Sequence, residues 1–316
     1  MNVLVPNYYK DFRCIADKCR HSCCIGWEID IDCDTLEFYK GLETPIGKKI
    51  RANISDEGAP HFILGEGERC PFLEESGLCE IIRNMGDEAT CDICRDHPRF
   101  RNFYENFTEM GLGICCEEAA RLILNRKEPF GLTLLEGDGE IELTEDEAEI
   151  LSMRNEAVSV LTDREKPLSE RFEKLSEMFG FSFSGVFPEK LLPLYMSLER
   201  LDDGWGEYLQ SISECKERVS VFDEEEFSIP FEQLSVYFIY RHFCDAAMEM
   251  REKEICAFSV FSCLIVGAMA EERKKRTGNL TVSDIEELSR MYSSEIEYSE
   301  ENTEKLLVFF EERIQK

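Results

Sequence analysis

The sequence predicts a mainly α protein in two parts: an N-terminal cysteine-rich domain of short strands and helices over 1–130, then a helical domain over 144–316. Three observations lead there. Eleven of the 15 cysteines (14, 19, 23, 24, 33, 70, 79, 91, 94, 115 and 116) fall in the first 116 residues. From residue 144 onward, helix-start signals alternate with apolar runs of helical length, above all 231–250 and 255–272. The chain, at 316 residues, is longer than the usual single-domain size. Residues 131–143, with Gly131, Gly137 and Gly139, read as the linker.

In the N-terminal part, Trp27, Ile29 and Ile31 alternate with Glu28 and Asp30, the period of a half-buried strand. Thr35 to Leu42 reads as a short helix and His61 to Leu64 as a strand before Gly65 and Gly67. Pro71 to Leu73 runs into a turn at Ser76-Gly77, and a helix starts near Cys79. In the helical part, Thr144-Glu145-Asp146-Glu147 is a capping box opening a helix to about Leu161. Pro188 suits the first turn of another, to about Leu201. Thr281-Val282-Ser283-Asp284 starts the next, and Asn302 to Ile314 is amphipathic.

Charge and hydropathy exclude several functions. With 66 acidic against 36 basic residues the net charge is −30, which repels phosphate backbones and argues against a nucleic-acid partner. The same charge attracts a lysine-rich protein surface, or serves solubility alone. No stretch reaches the roughly 18–20 apolar residues of a membrane span, and Ile255 to Ala270 reads as a buried helix. Residues 1–20 contain Asp11, Arg13, Asp17, Lys18 and Arg20 and no apolar core of a secretory signal. The expected location is cytoplasmic, with no membrane partner.

In a reducing compartment, dense cysteines mean metal more often than disulfides. Cys19 and Cys23, four apart, share a face if helical, with Cys14 in the preceding turn. Cys23 and Cys24 cannot point the same way on a regular backbone, so either one packs in the core or the two serve different sites. Cys91-x2-Cys94 has chelating spacing. Together the thiolates exceed the four of one tetrahedral zinc site, which suits a [4Fe–4S] cluster with extra core cysteines or two metal centres. Zinc remains the alternative, because thiolates favour both. Cys256 and Cys263, seven apart on one helix face, together with Cys215 and Cys244, are assigned to packing.

The run from Tyr8 to Ile29, Cys70-Pro71-Phe72-Leu73, Gly77-Leu78-Cys79, Cys94-Arg95-Asp96-His97-Pro98-Arg99 and Cys116-Glu117-Glu118-Ala119-Ala120-Arg121 resemble the flagellin lysine-N-methylases. The N-terminal part of that family resembles a wider group of CxxCxxCC-type zinc- or iron-chelating proteins. Motif coverage spans residues 8–124, and Tyr237-Phe238-Ile239-Tyr240-Arg241 is similar to a tyrosine/arginine stretch of the family. The resemblance implies an iron–sulfur protein that transfers methyl groups from S-adenosylmethionine to flagellin lysines. Position by position, it puts the motif cysteines at Cys14, Cys19, Cys23, Cys24, Cys70, Cys79, Cys94 and Cys116, leaving Cys33, Cys91 and Cys115 to packing. Cys14-x4-Cys19-x3-Cys23 is looser than CxxCxxCC.

The donor site has no ordinary signature. Leu135-Glu136-Gly137-Asp138-Gly139 only echoes a G-x-G-x-x-G turn, with no helix directly after it, and no C-x3-C-x2-C run occurs. The catalytic candidates are Tyr237, Tyr240 and Arg241, joined by His242, polar groups inside an apolar helix; the alternative is that their neighbours simply satisfy them. His97 and Arg99 are candidates to hydrogen-bond thiolate sulfur around the cofactor, or to cap a loop. Two functional readings follow. One is an iron–sulfur protein methyltransferase acting on flagellin lysines. The other is a non-catalytic scaffold whose zinc or iron only holds the fold.

Overall fold

The computed structural model describes residues 1–55, 57–182, 190–213 and 219–314. Its elements in chain order begin β1 Asn2–Pro6, α1 Cys33–Gly41, α2 Pro45–Ala52, β2 Ile54–Ser55, β3 His61–Phe62, α3 Glu80–Met85 and α4 Asp92–Asp96. Next come β4 Arg99–Phe103, β5 Phe107–Leu112, α5 Glu117–Leu124, β6 Leu132–Glu136, α6 Glu145–Leu161 and α7 Leu168–Phe179. The chain ends with α8 Leu191–Ser197, α9 Asp203–Ser213, α10 Ser228–Met248, α11 Glu252–Thr277, α12 Val282–Ile296 and α13 Glu300–Arg313. The mainly α expectation holds.

Two compact units divide these elements: residues 13–99 with 116–118, and residues 1–12, 100–115 and 119–316. The first is the cysteine unit. Asp32 caps α1 by accepting from the Thr35 N–H at 2.9 Å, so the helix begins at Cys33, two residues before the expected start. Ile29, Ile31, Tyr39, Ile50, Phe62, Phe72 and Ile81 form its core with Cys70 and Cys91. Ile29 and Ile31 are buried, as the alternation predicts, while Glu28 and Asp30 are exposed. No ladder forms there: the segment makes only isolated bridges, Ile25 to Arg69 and Asp30 to His61. Each of these strand-like segments is therefore held by one or two bridges and by side-chain packing rather than by a sheet.

The second unit joins a sheet to the helices. Strand order is β4-β5-β1-β6, with β1 parallel to β5 and antiparallel to β6. Residues 131–143 thus do more than link, because β6 lies within them. Its pairing is set by the free edge of β1 rather than by its own weak pattern. Gly137 turns the chain out of β6 at φ 104°. There a Cβ would stand 2.0 Å from Asn2 Oδ1, the atom that accepts from the Gly139 N–H at 2.9 Å. Only glycine suits that position. The glycine echo therefore ends a strand, and the next helix starts only at Glu145.

The expected capping box at Thr144 forms, and the helix expected to start at Thr281 does so, there too through a capping box. The apolar runs become α10 and α11, which pack on each other through Ser259, whose hydroxyl donates to the Ser235 carbonyl at 2.9 Å. By length and composition α11 is long and apolar enough to cross a membrane, contrary to the sequence expectation, because the helix continues through both ends of the apolar run. Yet 94% of that window is buried within the protein. Cys244, Cys256 and Cys263 are buried, as packing residues should be. Cys215, and Pro188 at the expected helix start, lie outside the described residues; beyond Pro188 the chain forms two helices, α8 and α9.

Arg154 of α6 forms a two-pronged pair with Glu109 of β5, Nη2 to Oε1 at 2.9 Å, both side chains at most 3% exposed. A cation so buried needs its carboxylate. Glu109→Gln should lower unfolding free energy by about 3–5 kcal/mol, whereas Glu109→Leu combined with Arg154→Met should recover most of it. Urea denaturation checks this, and a single-variant loss below about 1 kcal/mol would contradict it.

Candidate functional site

The thiols of the cysteine unit gather in two neighbourhoods, and none of the described cysteines forms a disulfide. In the first, Cys23 meets the charges of Cys14 and Cys116, and Cys19 that of Cys14. Cys19 Sγ also lies 3.8 Å from Glu117 Oε2. Glu117 in turn accepts from Arg20 Nε at 2.9 Å, which ties the segment holding Cys19 to the one holding Cys116. Burial raises the Cys19 pKa, and the neighbouring carboxylate adds to the rise.

In the second neighbourhood, Cys70 and Cys91 lie in the unit's core with Cys24 and Cys79 packed against it. The Cys70 N–H donates to the Cys24 carbonyl at 2.8 Å, and Leu73 bridges to Cys79. Cys91 and Cys94 share a hydrogen at an Sγ–Sγ distance of 3.5 Å. Burial pushes the Cys70 thiol up to about 12. Cys24 is lowered to about 6, first by the hydrogen bond from Cys23, then by Ser22 and the Arg69 guanidinium. The same hydrogen bond, with burial, raises Cys23.

All eight cysteines of the family motif therefore lie in one unit. Cys91, assigned to packing, stands among them; its CxxC spacing was the available signal. Cys115 belongs to the other unit. Among the described residues no three His, Cys, Asp or Glu side chains already converge as a group fit for one metal ion. Arg99 Nη1 donates to the carbonyls of Arg95 (3.3 Å) and Asp96 (3.5 Å), closing the end of α4. Burial and the Arg99 charge lower His97 to about 4, so its imidazole is neutral at pH 7.

In the helical unit, Tyr237 and Arg241 of α10 come together around a residue that sequence reasoning missed, Glu297. Arg241 Nη1 donates to the Tyr237 hydroxyl at 2.7 Å, which donates to Glu297 Oε2 at 3.2 Å. His242 Nε2 lies 2.6 Å from Glu297 Oε1, and Arg241 Nε lies 3.4 Å from the same oxygen. The Arg241 guanidinium stands over the rings of Phe100 and Tyr298, 5.1 and 4.9 Å from their centroids. Gly111 admits the Phe100 ring, since a Cβ there would lie 2.3 Å from Cζ. The Glu297 side chain is fully buried. Burial works to raise its pKa, but Arg241 and then His242 outweigh it and hold the carboxyl below its usual value.

Tyr240 stands apart from this network. Its ring packs on Phe130 and Phe100, and its hydroxyl is buried with no hydrogen-bond partner among the described residues. Burial raises both phenols well above 10. Tyr237 and Tyr240 therefore hold their protons at neutral pH and do not act as bases.

Residues 109–316, more than half of the chain, match the family described as the FliB lysine N-methylase C-terminal domain. Curated relatives include the lysine-N-methylases of Salmonella choleraesuis (strain SC-B67) and Salmonella typhimurium (strain LT2), each 28% identical over 141 residues. Each of those matches covers 42% of this chain and 35% of the relative, so the chain spans about a third of their length. The flagellar biosynthetic protein FliU of Salmonella muenchen is 27% identical over 140 residues, 42% of this chain and 82% of that protein. No solved structure matches the chain.

His97 gives a pH test of this geometry. Its folded pKa of about 4 lies below the 6.5 of a free imidazole, so below pH 6.5 the unfolded chain takes up a proton that the folded chain refuses. The stability contribution is complete above pH 6.5 and is lost as pH falls from 6.5 to about 4. His97→Gln should flatten the stability profile across that window in urea titrations. An unchanged slope would mean that His97 titrates normally in the fold.

Proposed function

The chain belongs to the FliB lysine N-methylase family through its C-terminal domain, and from that premise we propose that it is a cytoplasmic protein-lysine N-methyltransferase whose substrate is flagellin. The match over residues 109–316 carries this reading. All the residues of the Tyr237–Arg241–Glu297 network except Phe100 lie within that match. The names of the relatives, lysine-N-methylase and flagellar biosynthetic protein, support the substrate class. The net charge of −30 suits encounter with a lysine-bearing surface.

An iron–sulfur cluster on the cysteine unit and S-adenosylmethionine complete the reading. The chemistry of the donor set suits the cluster: the unit holds ten cysteines, all free of disulfides. Eight cysteines, 14, 19, 23, 24, 70, 79, 94 and 116, would supply ligands. S-adenosylmethionine, when bound, supplies an activated methyl on a sulfonium. In the transfer the lysine nitrogen's lone pair would form the new N–C bond as the methyl C–S bond breaks, its electron pair returning to a sulfur that leaves as the neutral thioether S-adenosylhomocysteine, and the nitrogen gives up one proton.

The side chains of the helical unit then have definable work. Glu297 stays ionised, so it is a fixed anion against which a cationic group gains stability in a water-poor interior. Arg241 and His242 orient that carboxylate. Tyr237 ties it to the main chain, because its hydroxyl also accepts from the Ile114 N–H at 3.3 Å.

The direct experiment is incubation of iron-loaded protein with flagellin and S-adenosylmethionine, followed by mass spectrometry for lysine increments of about 14 Da. Repeated absence of increments under anaerobic, reducing conditions would favour the scaffold reading. Tyr237→Phe removes one hydroxyl and keeps the ring. We expect a stability loss of about 1–2 kcal/mol and a fall in methyl transfer of at least about 10-fold. Full transfer by a folded Tyr237→Phe protein would make the network structural only.

A further inference from the structure

We infer that His242 is the base of the helical unit: its Nδ1 takes the proton from an incoming lysine ammonium, while Glu297, bonded to its Nε2, holds the ring and stabilises the imidazolium. This role rests on the methyltransferase reading and adds to it the proton acceptor that the other buried side chains do not provide.

Methyl transfer to an ammonium needs a group that takes up a proton near neutral pH. Burial raises the phenols of Tyr237, Tyr240 and Tyr298, so each keeps its proton. Burial works against the Arg241 charge, but Tyr237 and Glu297 outweigh it. Glu297 stays ionised, and its side chain is sealed from solvent. An imidazole is the side chain that changes charge most readily in the physiological range, and His242 is the one in this network.

The geometry of His242 is that of an oriented base. Nε2 lies 2.6 Å from Glu297 Oε1, which makes Nε2 the N–H donor and leaves the ring's lone pair on Nδ1. Nδ1 has no hydrogen-bond partner among the described residues. The His242 side chain is 18% exposed, whereas Glu297 behind it is 0% exposed. One edge of the ring is therefore held by a buried carboxylate and the other is left for a ligand. Phe258 of α11 packs against the ring at 5.5 Å between centroids and 75° between planes, which fixes its plane. A base held by a third group in this way is the usual companion of an attacking nucleophile.

The charges suit an imidazolium. Glu297 already has Arg241 as a counter-ion, Nε to Oε1 at 3.4 Å, so a proton on His242 calls for a second anion. Asp245 supplies it. It follows His242 by three residues on α10, which puts it on the same face one turn on. It is exposed, and no hydrogen bond or ion pair ties it to another described residue. Burial raises the Asp245 carboxyl, while the His242 charge works to lower it and Glu249 to raise it. In the step, one N–H bond of the ammonium breaks and an N–H bond forms at Nδ1. The electron pair of the broken bond stays on the lysine nitrogen as its lone pair. The imidazolium then passes the proton to water at the face where Asp245 stands.

His242→Gln tests the role, because its amide N–H still donates to Glu297 while none of its atoms takes a proton at neutral pH. In full-length, iron-loaded protein with flagellin and S-adenosylmethionine, it should lower kcat by about 100-fold or more and leave KM little changed. His242→Ala leaves a gap, so free imidazole should restore transfer in proportion to its neutral form, and should not do so in His242→Gln, where the gap is filled. A third readout needs no methyl donor. Diethyl pyrocarbonate acylates an accessible imidazole nitrogen that carries no proton, so peptide mass mapping of the native protein should find His242 modified, and less so with flagellin present. Circular dichroism confirms folding of both variants, and if His242→Ala misfolds, His242→Gln and the acylation decide. Transfer at the wild-type rate by His242→Gln overturns the role and leaves the methyltransferase reading standing. A loss in folded His242→Ala that imidazole does not reverse, or a His242 that reacts only after unfolding, does the same. Absence of transfer by wild-type protein overturns the methyltransferase reading and this role with it.

Discussion

A carboxylate taken out of water is stabilised by a cation beside it, and in the helical unit three such carboxylates position the elements. Glu232 of α10, 1% exposed, holds Arg164 and Arg171. Glu109 of β5 holds Arg154 of α6. Glu297, just beyond α12, holds Arg241 and His242 of α10. Each carboxylate joins elements far apart in sequence, and stripping it of its cations costs several kcal/mol because a charge is left buried. Hydrophobic packing alone would let α10 rotate or slide; the Glu232 and Glu297 pairs fix its register against α7 and against the end of α12.

The same requirement explains the order of side chains along α10. Glu232 comes first, then Tyr237, Tyr240 and Arg241, with Cys244 a turn later. The Tyr104 hydroxyl lies 2.8 Å from Cys244 Sγ and 3.3 Å from Glu109 Oε2, and its single proton serves one of them at a time. Asn102 of β4 donates to the Tyr240 carbonyl at 3.0 Å. A helix that is apolar nearly all round is therefore read polar group by polar group by different neighbours. Tyr240 is the exception, its hydroxyl buried without a partner among the described residues. A buried phenol in that state costs about 1–3 kcal/mol.

Signals that act within one turn were legible in the sequence. The capping boxes at Thr144 and Thr281, the helical run of α11 and the burial of Ile29 and Ile31 depend on neighbours at fixed short spacing. Nonlocal pairing was not. β6 has a weak side-chain pattern and exists because β1 offers an edge 130 residues away. Glu297 sits in the ordinary run Glu295-Ile296-Glu297-Tyr298, and nothing local distinguishes it from the many other glutamates of the chain. Its importance comes from Arg241 and His242, more than fifty residues earlier. Cys91 is an intermediate case: its CxxC spacing was visible, but whether it packs or ligates depends on Cys24, Cys70 and Cys79, which only the fold brings near.

Protonation states constrain what the buried network can contribute to the proposed methyl transfer. A lysine must arrive neutral or lose its proton on the way, since its lone pair is the nucleophile. Tyr237 and Tyr240 keep their protons because burial penalises the phenolate. Glu297 keeps its charge because Arg241 and His242 penalise its protonation. Neither kind of group takes up a proton near pH 7. Their contribution is a fixed electrostatic frame, with the anion and two donors already oriented and no reorganisation needed when a cation approaches. The proton therefore leaves by another route, to solvent or to a carboxylate nearer the surface. The net charge of −30 assists that route only where carboxylates lack a cation of their own.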